Sequence, residues 1–275
     1  MSDYSTIELE VRGRTACITL NRPERLNAIN DEMIREINEA YRFVEESQDI
    51  WTLIITGRGR ALCTGADVQK AHDHNDEVFA PGIDTQGDPV LSSARQWDAP
   101  QEATPPWLAM TKPIICAVNG LCCGAGLDLV TVADIPIAAT DAEFFDPHVS
   151  IGVTPGREVA RLARVLPLAV AMRMALMGRH ERMSAQRALE YGLVTELVEP
   201  ERLVERAWEI AEIVNRNAPL AVRGARLSIR KGISLPIYEA ELLAENYRMK
   251  TALTQDAIEG PAAFMEKRDP DWKAR

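Results

Sequence analysis

Two stretches of this chain share one construction, in which a short apolar, β-rich run stops in glycines and a turn follows. The first is "WTLIITGRGRALCTGAD" (51–67) and the second "KPIICAVNGLCCGAGLDL" (112–129). A third run, "IPIAAT" (135–140), comes after the helical stretch that opens past Gly126. Each run reads as a buried strand. Strands that alternate with helices pair in parallel through crossover units, so the pattern implies an α/β core.

The flanks extend this reading. "TIELEVRGRTACITLNRP" (6–23) alternates apolar and polar residues on either side of Gly13, which reads as a hairpin ending in a turn at Asn21–Pro23. Met33, Ile34, Ile37, Ala40 and Tyr41 then fall at helical spacing, with Asn30 or Asp31 as the cap. From about residue 157 successive helical patterns take over, interrupted by one short strand candidate, "VTELVE" (194–199). The expected organisation is an α/β body over 1–195 followed by a helical region over 196–275. The segment between Gln69 and Thr111 is polar, proline-containing and weakly periodic, the character of a lid, a binding segment or an insert. Trp97 and Trp107 at its end either line a pocket for a bulky apolar substrate or anchor the loop to the core.

Composition narrows the function classes. With 275 residues, 46% of them hydrophobic, the chain can bury a sizeable core. A net charge of −10 argues against nucleic acid as a general partner, because phosphate contacts need clustered Lys and Arg. No apolar run reaches 18 residues and "MSDYSTIELEVRG" lacks the regions of a signal peptide, so no membrane association and a cytoplasmic location are expected. Five cysteines, an odd number, read as reduced thiols in packed positions; the adjacent Cys122 and Cys123 suit neither a redox motif nor zinc spacing. His72 and His74 flank Asp73 without a third ligand cluster, so no metal site is expected.

A strand that ends in glycines and opens a helix exposes backbone N–H groups at a positive helix end. Such groups hold phosphate, or the negative oxygen that develops on a carbonyl or thioester. "GAGLDL" lacks the third glycine of a dinucleotide fingerprint, and neither a P-loop nor a G-x-S-x-G elbow is present.

Six blocks carry a resemblance: "NRPERLNAIN", "RALCTGADV", "KPIICAVNGLCCGAGLDLVTVADI", "FFDPHVSIGVTPG", "SAQRALEYGLVTELVE" and "EGPAAFMEKRDPDW". In this order the chain resembles the enoyl-CoA hydratase/isomerase (crotonase) family over nearly its whole length. The resemblance implies a spiral of ββα units, a helical C-terminal region used in trimerisation (a homotrimer or a dimer of trimers), and an acyl-CoA substrate with no further cofactor. It also implies an oxyanion hole built from the amides of Ala66 and Ala125. Two aimed N–H donors stabilise the charge that grows on a thioester oxygen as an enolate forms.

Hydratases of the family commonly hold water with two glutamates, and at the matching positions this chain has Asp128 and His148. Both residue types move protons, and an imidazole with an ordinary pKa near 6.5 serves as base or acid near neutrality. Asp128 either orients His148 or accepts a proton from a nearer carbon, and Asp146 and Glu158 lie close enough along the chain to help. By the same resemblance, substrate and coenzyme A are expected against Arg25, Leu26, Ala61, Gly65, Asp67 and Gly124, with Phe264 and Lys267 of the last block beside them. Arg22 and Arg268 are further candidates for the phosphates, although Glu24 stands where a basic residue is common. Hydration of a 2-enoyl-CoA is the leading expectation. Cleavage of a carbon–carbon bond in a β-diketone or keto-acyl-CoA, double-bond isomerisation, and a non-catalytic acyl-CoA-binding subunit are the alternatives.

Overall fold

A computed structural model of the chain describes residues 4–67 and 110–275; His72, His74, Trp97 and Trp107 lie outside the described residues. The first hairpin is β1 (Ile7–Arg12) and β2 (Thr15–Leu20), antiparallel as the alternation around Gly13 predicts. α1 (Asp31–Glu46) follows, and the Asn30 side chain accepts from the Met33 N–H as its cap. β2 pairs in parallel with β3 (Thr52–Gly57), which continues to β5 (Ile114–Val118), β7 (Ile135–Ala139) and β10 (Glu196–Val198) in a six-stranded sheet.

Each of three central strands hands over, within two or three residues, to a short strand of a second sheet. β3 leads to β4 (Ala61–Cys63), β5 to β6 (Leu121–Cys123), and β7 to β8 (Glu143–Phe145). With β9 (Met183–Ser184) these form a four-stranded sheet in the order β4-β6-β8-β9. α2 (Ala125–Val132) closes the β5–β6 unit, while α3 (Arg157–Val165), α4 (Leu168–Met177) and α5 (Ala185–Glu190) follow β8. This is the expected α/β architecture with repeated ββα units.

The large sheet is covered on both faces, which is why its strands read as continuous apolar runs. Cys17, Ile54, Ile115, Ala117, Ile137 and Ala139 meet α6 (Leu203–Asn215) through Leu203, Ala207, Ile210 and Ala211, one stripe of a 3.6-residue period. The alternate strand residues, among them Ile18, Leu53, Ile55, Ile114 and Cys116, join the main core with α1 and α2. β10 and α6 therefore carry the sheet and its cover past residue 195, where the sequence divides α/β body from helical region. All five cysteines are free and buried, and burial pushes their thiols up, Cys17 to about 11 and Cys63 and Cys123 to about 12.

α7 (Pro219–Gly232) and α8 (Ile237–Ala252) form a helical pair, and α9 (Asp256–Glu266) ends the chain. No helix among the described residues is long and apolar enough to cross a membrane. The bond that fixes α7 to the sheet is ionic. Asp134 accepts from Arg226 Nε at 2.6 Å, from Arg230 Nε at 2.9 Å and from the Ile114 N–H at 2.9 Å. Arg230 also donates to the carbonyls of Thr131, Val132 and Ala133, the unpaired carbonyl end of α2. Because the Arg226 side chain is only 9% exposed, removing its counter-charge strands a buried cation. Asp134→Asn is expected to cost about 3 kcal/mol of folding stability, measured by urea unfolding.

Candidate active site

The two glycine turns meet. A Cβ on Gly124 would sit 3.2 Å from Gly65 Cα and 3.7 Å from His148 Cε1, and one on Gly65 would sit 3.7 Å from the Ala125 nitrogen. Both positions need glycine for conformation as well as space, with φ of +93° at Gly65 and +54° at Gly124. The backbones of 65–66 and 124–125 thus lie side by side with the imidazole against them.

Ala66 forms a single parallel bridge to Ile29, in which Ile29 donates to the Gly65 carbonyl and Asp67 donates to the Ile29 carbonyl. That pattern spends the groups on either side of Ala66 and leaves the Ala66 N–H without a partner among the described residues. Ala125 is the first residue of α2, whose leading N–H groups have no carbonyl within the helix, and its amide is likewise unpaired among the described residues.

His148 lies just past a strand. β8 stops at Phe145, and His148–Ile151 form a 3₁₀ turn after Pro147. Asp146, completely buried, accepts at Oδ1 both from the His148 backbone N–H and from the ring Nδ1, each at 2.9 Å. A carboxylate only accepts, so Nδ1 carries the hydrogen and Nε2 of the neutral ring keeps its lone pair. The bond to Asp146 raises the His148 pKa above its ordinary value; burial opposes this, and the charges of Asp146, Glu158 and Asp128 add to it.

Asp128 is 2% exposed and committed elsewhere. Its Oδ1 accepts from Arg161 at 2.7 Å, and its Oδ2 lies 3.5 Å from Arg157 Nε. No hydrogen bond among the described residues links Asp128 to His148, so the acid that orients the ring is Asp146 and not Asp128. Burial raises the Asp128 carboxyl above the usual carboxylate range against the pull of Arg161, and the nearby Glu158 adds to the rise. Glu158 is itself 9% exposed, and its Oε2 is buried without a hydrogen-bond partner. Glu158, a candidate helper from the sequence, thus faces inward from α3, while Arg157 and Arg161 beside Asp128 are additions, legible only as two basic residues four apart on one helical face.

The remaining expected residues divide. Asp67 holds Arg22 in a 2.9 Å ion pair and so ties the first glycine turn to the turn after β2. Leu26 adopts a left-handed φ of +52°, and its carbonyl accepts from the Thr64 hydroxyl. Asn27, fully buried, ties the same turn to the carbonyls of Arg58 and Ala61. Ala61 is wholly buried in β4, whereas Arg25 is exposed on the turn. Phe264, 84% exposed, and Lys267 lie on the surface at the end of α9, and Arg268 is paired with Glu259 and Glu266. Among the described residues no group of three or more His, Cys, Asp and Glu is arranged to hold a metal ion.

Known proteins match this chain over nearly its whole length. The family model described as enoyl-CoA hydratase/isomerase matches residues 10–275. The chain is 34% identical over 269 residues to the (E)-benzylidenesuccinyl-CoA hydratase of Thauera aromatica, covering 97% of this chain and 98% of that protein. Its fold is similar to the crystal structure of an enoyl-CoA hydratase/isomerase from Mycobacterium paratuberculosis, with a TM-score of 0.86, 55% identity and 100% of both chains covered. An enoyl-CoA hydratase from Bacillus anthracis gives the same TM-score at 29% identity, covering 98% of this chain and 100% of that one. With the family pattern spanning nearly every residue and the two glycine turns meeting as described, the chain belongs to the enoyl-CoA hydratase/isomerase family.

Proposed function

We propose that this protein hydrates a 2-enoyl-CoA. The observation that carries the reading is the pair of unsatisfied amides at Ala66 and Ala125 beside an imidazole whose Nδ1 is already held by Asp146. In this reading the thioester oxygen accepts from both amides. His148 Nε2 takes a proton from water while the water oxygen bonds to C3 and the C2=C3 electrons move onto the thioester as an enolate. The imidazolium, stabilised by Asp146, then returns a proton to C2. Water is added across the double bond with no net oxidation, so the substrate's own coenzyme A is the only cofactor the scheme uses.

Asp128 and His148 do not share the work equally in this scheme. Asp128, tied to Arg161, acts as a positioning charge, and His148 carries the proton. The Asp146–His148 couple also favours a second reading, in which the same activated water attacks the β-carbonyl of a keto-acyl-CoA and cleaves a carbon–carbon bond. A homotrimer or dimer of trimers is supported by α8, which has no buried residue, and by Leu253, Ile258, Phe264 and Met265, all at least 75% exposed around α9. Five free thiols fit a reducing compartment such as the cytoplasm.

Crotonyl-CoA and longer enoyl-CoAs are expected to lose their conjugated absorbance with this protein, and His148→Gln to abolish that loss; turnover of keto-acyl-CoA alone would select the second reading. Gly124→Ala forces a Cβ against Gly65 and displaces the neighbouring amide, so kcat should fall about 100-fold in the same assay. The kcat/KM profile should rise with pH through a midpoint above 6.5, because the base must be neutral and the His148 pKa is raised. Asp146→Asn removes the raising bond but not the burial, so the midpoint should drop below that of the parent and kcat should fall on the order of 10³-fold. Glu158→Gln should lower the midpoint with a smaller loss of rate, since Glu158 acts on the ring by charge alone.

A further inference from the structure

Arg157 and Arg161, which hold Asp128, also line a cleft of about 760 Å³ between α3 and α7. Its walls are largely apolar, with Met110, Val132, Ala160, Val165, Leu227 and Ile233 among them. Among the described residues its charged lining is one-sided: Arg157, Arg161 and Arg164 come from α3, Arg226, Arg230 and Lys231 from α7, and the only described lining carboxylate is Asp134. Asp134 serves Arg226 and Arg230, and Asp128, outside the cleft, serves Arg161 and Arg157. Even with Asp128 and Glu158 counted, six cations stand against three carboxylates among the described residues. This surplus stands in a chain whose net charge is −10.

Two of the six have no acidic partner among the described residues. Arg164 donates only to the Ala160 carbonyl of its own helix, and Lys231 makes no hydrogen bond or ion pair there. An apolar channel that ends in uncompensated cations fits a ligand with an apolar body and an anionic end.

One helix, α2, runs from the second glycine turn to the cleft. Ala125 begins that helix, and Thr131 and Val132, which line the cleft, lie at its other end. Six residues of helix span about 9 Å. We infer that the acyl group of the substrate carries a second, distal carboxylate held by Arg164 and Lys231, so that the preferred thioester is the coenzyme A monoester of a medium-chain dicarboxylic acid. This rests on the acyl-CoA reading above and adds the identity of the acyl terminus.

The test uses saturated thioesters, so that binding is read without turnover. Titration calorimetry would compare octanoyl-CoA with the monothioester of octanedioic acid, against the parent protein and an Arg164→Gln/Lys231→Gln double variant. Both residues are exposed, and circular dichroism checks that the variant folds. The parent should bind the diacid thioester at least 10-fold more tightly, the double variant should lose that preference while keeping its octanoyl-CoA affinity, and added salt should shrink the preference. Equal affinity of the parent for the two thioesters overturns the inference and leaves the acyl-CoA reading standing. Equal weakening of both thioesters in the variant also overturns it, by assigning these cations to the coenzyme A phosphates. Failure of either thioester to bind the parent overturns both readings.

Discussion

The approach of Gly65 to Gly124 is the contact on which the rest of the site depends. Two strand-to-turn crossings, more than fifty residues apart in sequence, come within van der Waals distance of each other and of the His148 ring. That closeness comes from the two-sheet design. Each strand of the large sheet passes immediately to a strand of the small one, and β4 and β6 lie side by side, so their C-terminal ends deliver both turns to one place. Asn27 and the Arg22–Asp67 pair brace the first turn, and the start of α2 braces the second. The amides are therefore oriented before any ligand arrives, which is the condition for electrostatic stabilisation without reorganisation.

Charge around this point is divided rather than pooled. Asp146 is spent on His148, Asp128 on Arg161 and Arg157, and Glu158 is left buried without a partner. The division leaves the His148 imidazole with a fixed tautomer, held by one acid on its Nδ1. Two arginines of α3, Arg157 and Arg161, meet Asp128 and also line the cationic cleft.

Much of this was legible in the sequence. The long strands announced themselves because β3, β5 and β7 are buried on both faces and so are apolar at nearly every residue. The small sheet did not, because strands of two or three residues are too short to show a period. Phe144 and Phe145 end a strand of that sheet, and Pro147 then turns the chain into the 3₁₀ helix that carries His148. α9 escaped notice because Gly260 and Pro261 stand inside it. On α1 the apolar pattern misplaced two residues. Ile34 is 42% exposed, while Glu36 is buried because Ser5 and Thr6 donate to it. That Asp146 and not Asp128 orients the imidazole is a matter of ring direction, which spacing alone does not encode.

The depth of the cysteines has a consequence for handling and for measurement. A thiolate is the reactive form, and all five thiols are held far from ionisation inside the packed sheets. A thiol-directed alkylating reagent therefore finds no exposed cysteine until the fold opens. The rate at which such a reagent labels the chain is then a clock for opening, and the order in which the strand thiols and the turn thiols react reports which layer separates first.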